Sequence, residues 1–125
     1  AAGFTGSHKE TCQAGLQTLD GVSTAIATIA VTDLSAVTIS AFITAARSDH
    51  TAALSANVQY CARRAGGGAV QVGLPIISIV EDSASAPTVD ADVNGNNIRL
   101  MVTGVGAQTW NWVCTYDVMR VNTNA

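Results

Sequence analysis

Apolar and polar residues alternate at every second position over most of the chain, and this period constrains the fold more than any other feature. A β-strand points successive side chains to opposite faces, so the pattern predicts strands with one buried face. No segment shows the 3.6-residue period of an amphipathic helix longer than two turns. The clearest run puts five apolar residues on one face of a long strand: Val37, Ile39, Ala41, Ile43 and Ala45.

Turn signals separate the alternating segments at intervals of roughly 8–14 residues, which is typical of all-β domains. Asn94-Gly95 is the strongest of these signals, because Asn-Gly suits the two central positions of a type I′ hairpin turn. Segments 37–46 and 54–63 are predicted to form an antiparallel hairpin. We therefore predict an all-β fold, an antiparallel β-sandwich or jelly-roll-like domain of about seven or eight strands.

The length of 125 residues suits one domain. Residues 1–15 lack clear apolar periodicity and are predicted to form an N-terminal arm or linker, and residues 16–125 the β-sandwich domain. A change of phase between Ile26 and Ile29 predicts a bulge. The mostly apolar run from Ile76 to Val80 is typical of a buried strand.

Composition excludes several classes of protein. The chain is 48% hydrophobic and 12% charged, with a net charge of −3. It is too apolar to be disordered, and it lacks the long uncharged run of a membrane span. The six cations are scattered, so the basic footprint of a nucleic-acid-binding protein is missing.

The segment Asp90-Ala-Asp92-Val-Asn94-Gly95 matches the first half of a calcium-binding loop, in which oxygen ligands occupy positions 1, 3 and 5. Position 12 should be a bidentate glutamate but is Met101. Asp90, Asp92 and Asn94 are therefore only a weak candidate for a metal site. The simpler interpretation is a solvated acidic face that leads into a hairpin.

No residues form a convincing catalytic set, and none predicts a cofactor. His8 and His50 are the two histidines, and His50 follows Asp49 in a loop without a nucleophile motif. Arg63-Arg64 precedes a triple glycine that could bind phosphate through backbone N–H groups. The Lys and Ser/Thr of a P-loop are absent, so a turn is the favoured interpretation.

The cysteines and aromatic residues leave alternatives open. Cys12, Cys61 and Cys114 lack the close spacing of a zinc site, and a Cys61–Cys114 disulfide is one possibility. Trp110, Trp112 and Tyr116 share one face of the last strand. Exposed, these rings would stack on sugars; buried, they would supply a large part of the core.

Three segments resemble small β-domains of tailed-bacteriophage virion surface proteins. Val102 to Trp112, VTGVGAQTWNW, is similar to the end of those domains, and Arg63 to Gly73, RRAGGGAVQVG, to their middle motif. Leu19 to Thr24, LDGVST, looks like their opening segment. The resemblance covers about residues 16–121. It implies an antiparallel β fold, homotrimeric assembly and no enzyme activity in this domain, and it transfers no catalytic residue.

The resulting hypothesis is a non-enzymatic virion structural protein, assembled in the host cytoplasm, that forms a homotrimer in a tail fibre, spike or capsid decoration. Its partners would be copies of itself and other virion proteins. Apolar residues on the outward side of strands, namely Phe42, Val113, Met119 and Val121, are predicted to pack between copies.

Two alternatives remain at this stage. One is a glycan-binding or receptor-binding module of a host-attachment fibre, in which Trp110, Trp112 and Tyr116 would be the stacking platform. The other is a secreted bacterial adhesin or sandwich module, for which a Cys61–Cys114 disulfide would be supporting evidence.

Overall fold

The computed structural model describes residues 3–82 and 87–124, with side chains for 9–82 and 87–122, and nine β-strands lie in these ranges. They form two antiparallel sheets, which confirms the predicted all-β sandwich. No helix occurs in the part of the chain described. The strands are β1 (Gly3–Thr18), β2 (Ser23–Ala30), β3 (Ser35–Arg47), β4 (Ala53–Arg64), β5 (Val70–Gln71), β6 (Ile76–Glu81), β7 (Thr88–Asn94), β8 (Asn97–Thr103) and β9 (Trp110–Asn124).

The larger sheet has the order β1-β9-β3-β4, with β5 and β6 both paired to the far side of β4. The predicted hairpin of the two clearest segments is confirmed, since Ala45 of β3 lies opposite Leu54 of β4. The other edge of β3 pairs with β9, so that Ile43 lies opposite Cys114. This registry places the apolar faces of β3, β4 and β9 on the same side of the sheet.

The smaller sheet has the order β2-β8-β7, and the predicted Asn-Gly hairpin joins its last two strands. Asn94 pairs with Asn97, so the central residues of the turn are Gly95 and Asn96. Only Gly95 has a positive φ, of 60°. The hairpin is therefore confirmed, but the prediction that Asn94 and Gly95 are the two central residues is wrong by one position.

The phase change in β2 corresponds to an irregularity in its pairing with β8. The register shifts between Ala25 and Ala27, which turns Ile26 and Ala27 toward the core in succession. An extra residue in one strand has this effect because it breaks the strict alternation of faces. The predicted bulge is confirmed close to its expected place.

The hydrophobic core lies between the two sheets and consists of the inward faces of their strands. All five apolar residues of the β3 run are buried, and so are the five alternating residues of β4 from Leu54 to Ala62. The small sheet contributes Ile29, Ile98, Leu100 and Val102. The largest fully buried side chains are Trp110 and Trp112 of β9.

Strand β1 runs along β9 from the pair Gly3–Asn124 to the pair Thr18–Trp110, with one irregularity between Phe4 and Gly6. Residues on both sides of the predicted boundary at residue 15 belong to this one strand. The division into an arm of residues 1–15 and a domain of residues 16–125 remains a prediction. The inward side chains of Cys12, Ala14 and Leu16 on β1 are half-buried rather than buried, which explains why its apolar alternation is weak.

Candidate functional surfaces

The two tryptophans belong to the core and are held there by hydrogen bonds. Trp110 is 0% exposed and Trp112 is 1% exposed, with ring centroids 6.4 Å apart. The indole N–H of Trp110 donates to Oε1 of Gln108 at 3.0 Å, and that of Trp112 donates to Oγ1 of Thr18 at 3.0 Å. A buried indole needs such a partner because its N–H loses water.

Trp110 and Trp112 cannot belong to a glycan-binding platform in this fold, because a sugar cannot reach a ring that is buried in the core. Tyr116 lies on the same inward face and is half-buried, and burial raises the pKa of its hydroxyl. The structure supports the alternative that the three aromatic residues supply core area.

Fluorescence quenching tests whether the two tryptophan rings are buried. Iodide is charged and stays in solvent, so we expect it to quench the tryptophan emission of the folded protein only weakly. The same iodide concentration should quench strongly after unfolding in denaturant. Strong quenching of the folded protein would show that at least one indole is accessible, and would restore the stacking platform.

The candidate metal ligands on β7 do not form a binding site, because the carboxylates of Asp90 and Asp92 have separate partners. Nε and Nη2 of Arg99 donate to the two carboxylate oxygens of Asp92 at 2.8 and 2.6 Å. Asp90 accepts a hydrogen bond from the backbone N–H of Ala91, and Asn94 begins the exposed hairpin turn. Within residues 3–82 and 87–124, no three His, Cys, Asp or Glu residues are grouped closely enough to hold a metal ion.

The turn after Arg63-Arg64 is occupied by the protein's own polar groups. The N–H of Gly66 donates to a carboxylate oxygen of Asp33 at 2.6 Å. Arg64 donates to the carbonyls of Gly67 at 2.7 Å and Val31 at 3.4 Å. A carboxylate therefore stands where a phosphate would have to bind, which favours the interpretation of this segment as a structural turn.

Several polar groups of the loop that carries His50 are likewise hydrogen-bonded within the loop. Asp49 accepts hydrogen bonds from the hydroxyl and the N–H of Thr51 at 2.6 and 3.1 Å, and these bonds lower the pKa of its carboxyl. The N–H of His50 donates to the carbonyl of Arg47 at 2.8 Å. Asp49 thus shapes the loop between β3 and β4 and is hydrogen-bonded to Thr51 rather than to the imidazole.

All three cysteines are free thiols, so the possible Cys61–Cys114 disulfide is absent. Cys114 of β9 lies opposite Ile43 and faces the core, whereas Cys61 of β4 lies opposite Thr38. Ile43 and Thr38 point to opposite faces of β3, so the two thiols lie on opposite sides of the sheet. Burial raises the pKa of the Cys114 thiol to about 11, which keeps it protonated at neutral pH and unreactive.

The outward side of the large sheet carries an apolar surface that we call the outer-face patch: Phe42, Val113, Met119 and Val121. All four are exposed, Phe42 by 57% and Val113 by 62%. Their outward-pointing neighbours on β3 and β9 include one charged residue, Asp117, whose carboxylate accepts a hydrogen bond from the Thr11 hydroxyl at 2.6 Å. The patch was predicted from the sequence, and its exposure is confirmed.

A second apolar surface lies at the β4 edge of the same sheet, where the sequence predicted a buried strand. That prediction is wrong: β6 pairs with β4 and with no other strand among the described residues, so most of its side chains stay exposed. Leu74 is 81% exposed and Val80 72%. We call this surface the edge strip: Val70, Val72, Leu74, Ile76, Ile79 and Val80.

Pairing with β4, the packing of Ile77 against the core and several polar contacts hold the edge strip in place. The hydroxyl of Tyr60 donates to Oε1 of Gln71 at 2.7 Å, and the N–H of Val72 donates to the carbonyl of Cys61 at 2.9 Å. At the other end, the N–H of Ala53 donates to Asp82 at 2.9 Å. The strip is thus fixed to β4 while its aliphatic side chains point into solvent.

The chain is therefore defined as an all-β sandwich domain with two exposed apolar surfaces. The described residues contain no helix long and apolar enough to cross a membrane. No protein-family model matches the sequence, and a search of curated proteins finds no match either.

Two of the solved structures that match this chain are phage tailspike proteins. One is the tailspike protein gp49 of Acinetobacter baumannii bacteriophage Fri1, a capsular polysaccharide depolymerase, at 17% identity and a TM-score of 0.53. The match covers 90% of this chain and 17% of that chain. Another is the tailspike protein of Acinetobacter baumannii phage AM24, at 10% identity and a TM-score of 0.45, covering 92% and 26%.

This chain thus spans about a sixth of the length of the Fri1 tailspike. At that identity the similarity shows a shared fold. The fold is the antiparallel β architecture that the resemblance in the sequence implied, and it occurs in a phage tail protein.

Proposed function

We propose that this chain is a non-enzymatic structural β-domain of a bacteriophage tail, in a spike or fibre, where it assembles as a homotrimer. Its mechanism is assembly: apolar side chains that a single copy leaves in water become buried between copies. Such burial contributes about 25 cal/mol per Å² of apolar surface.

The observation that carries the proposal is the exposure of the outer-face patch and the edge strip on a domain that already has a complete core. Monomeric soluble proteins rarely leave large contiguous apolar patches in water, and larger ones mark interaction sites. The edge strip also has no charged residue from Ala65 to Val80. Natural sheet edges that face solvent usually carry charged side chains, which prevent pairing with other chains. An uncharged edge therefore indicates that another protein surface covers it.

The fold similarity supports the placement in a phage tail, since it covers most of this chain and lies within a tailspike protein. The motifs around Gly66 and Gly104 resemble domains of phage virion surface proteins, which supports the homotrimer. The depolymerase activity named for the Fri1 tailspike belongs to a chain of which 17% is matched. We assign the domain a role in assembly because its histidine loop and arginine turn are closed by their own hydrogen bonds.

Light scattering after size exclusion tests the assembly. At micromolar concentration we expect a mass three times the 12.8 kDa of the chain, because the apolar surfaces are buried in the trimer. The same sample, incubated with capsular polysaccharide, is expected to release no reducing ends above a buffer control. A monomeric mass would contradict the assembly role, and released reducing ends would contradict the non-enzymatic role.

A further inference from the structure

The two apolar surfaces are separate, although both belong to the large sheet. The outward side chains of β4 between them are polar, namely Ser55, Asn57 and Gln59. Phe42 on β3 lies two strands away from β6, which corresponds to about 10 Å at the spacing of paired strands. Each copy of the chain therefore presents two distinct apolar surfaces rather than one continuous patch.

The two surfaces have the same length. On β9 the outer-face patch extends from Val113 to Val121. The edge strip follows β4 from Ser55, opposite Val80, to Arg63, opposite Val70. Each distance is eight residues along a strand, or about 27 Å at ~3.4 Å per residue.

Symmetry connects these observations with the proposed trimer, on which this inference rests. An isologous contact joins two identical surfaces and closes as a dimer, whereas a ring of three copies needs two different surfaces that meet head to tail. We propose that the edge strip of one copy packs on the outer-face patch of the next copy, and that three such contacts close the ring.

Charge favours a second copy as the occupant of both surfaces. The chain carries a net charge of −3, so two copies repel each other wherever their acidic groups approach. The six residues of the edge strip are uncharged, and Arg63 lies opposite Val70 at one end of it. The outer-face patch is bordered by Asp117 and by Lys9, which lies opposite Met119. The charges beside the two surfaces are thus of both signs, so identical chains meet there with less repulsion than between acidic groups alone.

Three double variants test the proposal. The strip variant is Leu74→Ser with Val80→Thr, and the face variant is Phe42→Ser with Val113→Thr. The control variant, Leu19→Ser with Val22→Thr, makes similar changes at two exposed apolar residues outside both surfaces. We expect the strip and face variants each to have the mass of a monomer by sedimentation equilibrium, and the control to remain a trimer. Circular dichroism confirms that each variant is folded.

The decisive measurement is an equimolar mixture of the strip and face variants. The strip variant keeps an intact face and the face variant keeps an intact strip, so one productive contact can form. We expect the mixture, at several hundred micromolar, to give a complex of twice the mass of the chain and nothing larger. Neither variant alone should give this complex at the same concentration.

Other results overturn the proposal. A face variant that still self-associates would show an isologous contact between edge strips, and a strip variant that does so would show face-to-face packing. A mixture that stays monomeric also overturns it. If the unaltered chain is a trimer and both variants are trimers, this inference fails and the proposed function stands. If the unaltered chain is monomeric, the assembly function itself fails.

Discussion

Replacing Gly104 by alanine is expected to destabilise the domain by about 3 kcal/mol, because the new methyl group has no space. A Cβ at this position would lie 2.6 Å from the carbonyl oxygen of Asp20 and 2.9 Å from Cβ of Thr18, and closer still to the Thr18 hydroxyl. Thr18 is buried and accepts the hydrogen bond of Trp112. Its displacement would therefore also disturb the core. Urea unfolding at a fixed chain concentration measures the change.

Gly106 provides the matched control for this substitution. It lies two residues further along the same turn, and a Cβ there would meet no atom within 4 Å. Gly106→Ala is expected to change the free energy of unfolding by less than about 0.5 kcal/mol, as at an unconstrained surface site. Equal losses at both positions would mean that the turn, rather than the contact with Thr18, needs glycine.

The clearest alternation allowed the central strands to be predicted almost residue by residue. On β3 and β4 the inward positions are buried and face each other in register, as for Ile43 and Ala56. The period of two specifies which side chains are buried, because a strand of a sandwich buries one face and its side chains alternate between the two faces. The bulge near Ile26 could also be predicted from the break in alternation, since a bulge changes the face of the residues that follow.

Strand β1 could not be predicted from its own sequence. It gains its structure from β9, about a hundred residues away along the chain, through pairs such as Cys12 with Tyr116. Its inward side chains include Ala14 and Cys12, which are small and only half-buried. A strand stabilised mainly by pairing with a distant strand leaves little apolar signal in its own segment.

The edge strip shows a different limit of the alternation argument. A mostly apolar run such as Ile76 to Val80 is typical of a buried strand, but hydrophobicity alone does not say what covers it. The small sheet has three strands, so it cannot cover the full width of the larger one. The informative signal was the absence of charge from Ala65 to Val80 in a segment rich in glycine. By contrast, Phe42 and Val113 were recognisable because they are apolar on an otherwise polar face.

Replacing Trp112 by alanine is expected to cost about 4 kcal/mol, the typical loss when a large buried aromatic residue is removed. The ring is 1% exposed and lies against Trp110, so its loss leaves a cavity that this core of small residues cannot fill. The substitution also leaves the buried hydroxyl of Thr18 without the indole N–H, which adds the cost of an unsatisfied polar group. Trp110 remains as the fluorescent reporter of unfolding.

Trp112→Phe separates the contribution of the ring from that of the hydrogen bond. Phenylalanine keeps most of the apolar ring and loses the indole N–H, so we expect a loss of about 1–2 kcal/mol, smaller than that of alanine. A platform residue exposed for sugar stacking would behave differently, because exposed side chains outside such contacts change stability by less than about 0.5 kcal/mol. Small losses for both variants would therefore contradict the core role of β9 and place its aromatic face on the surface.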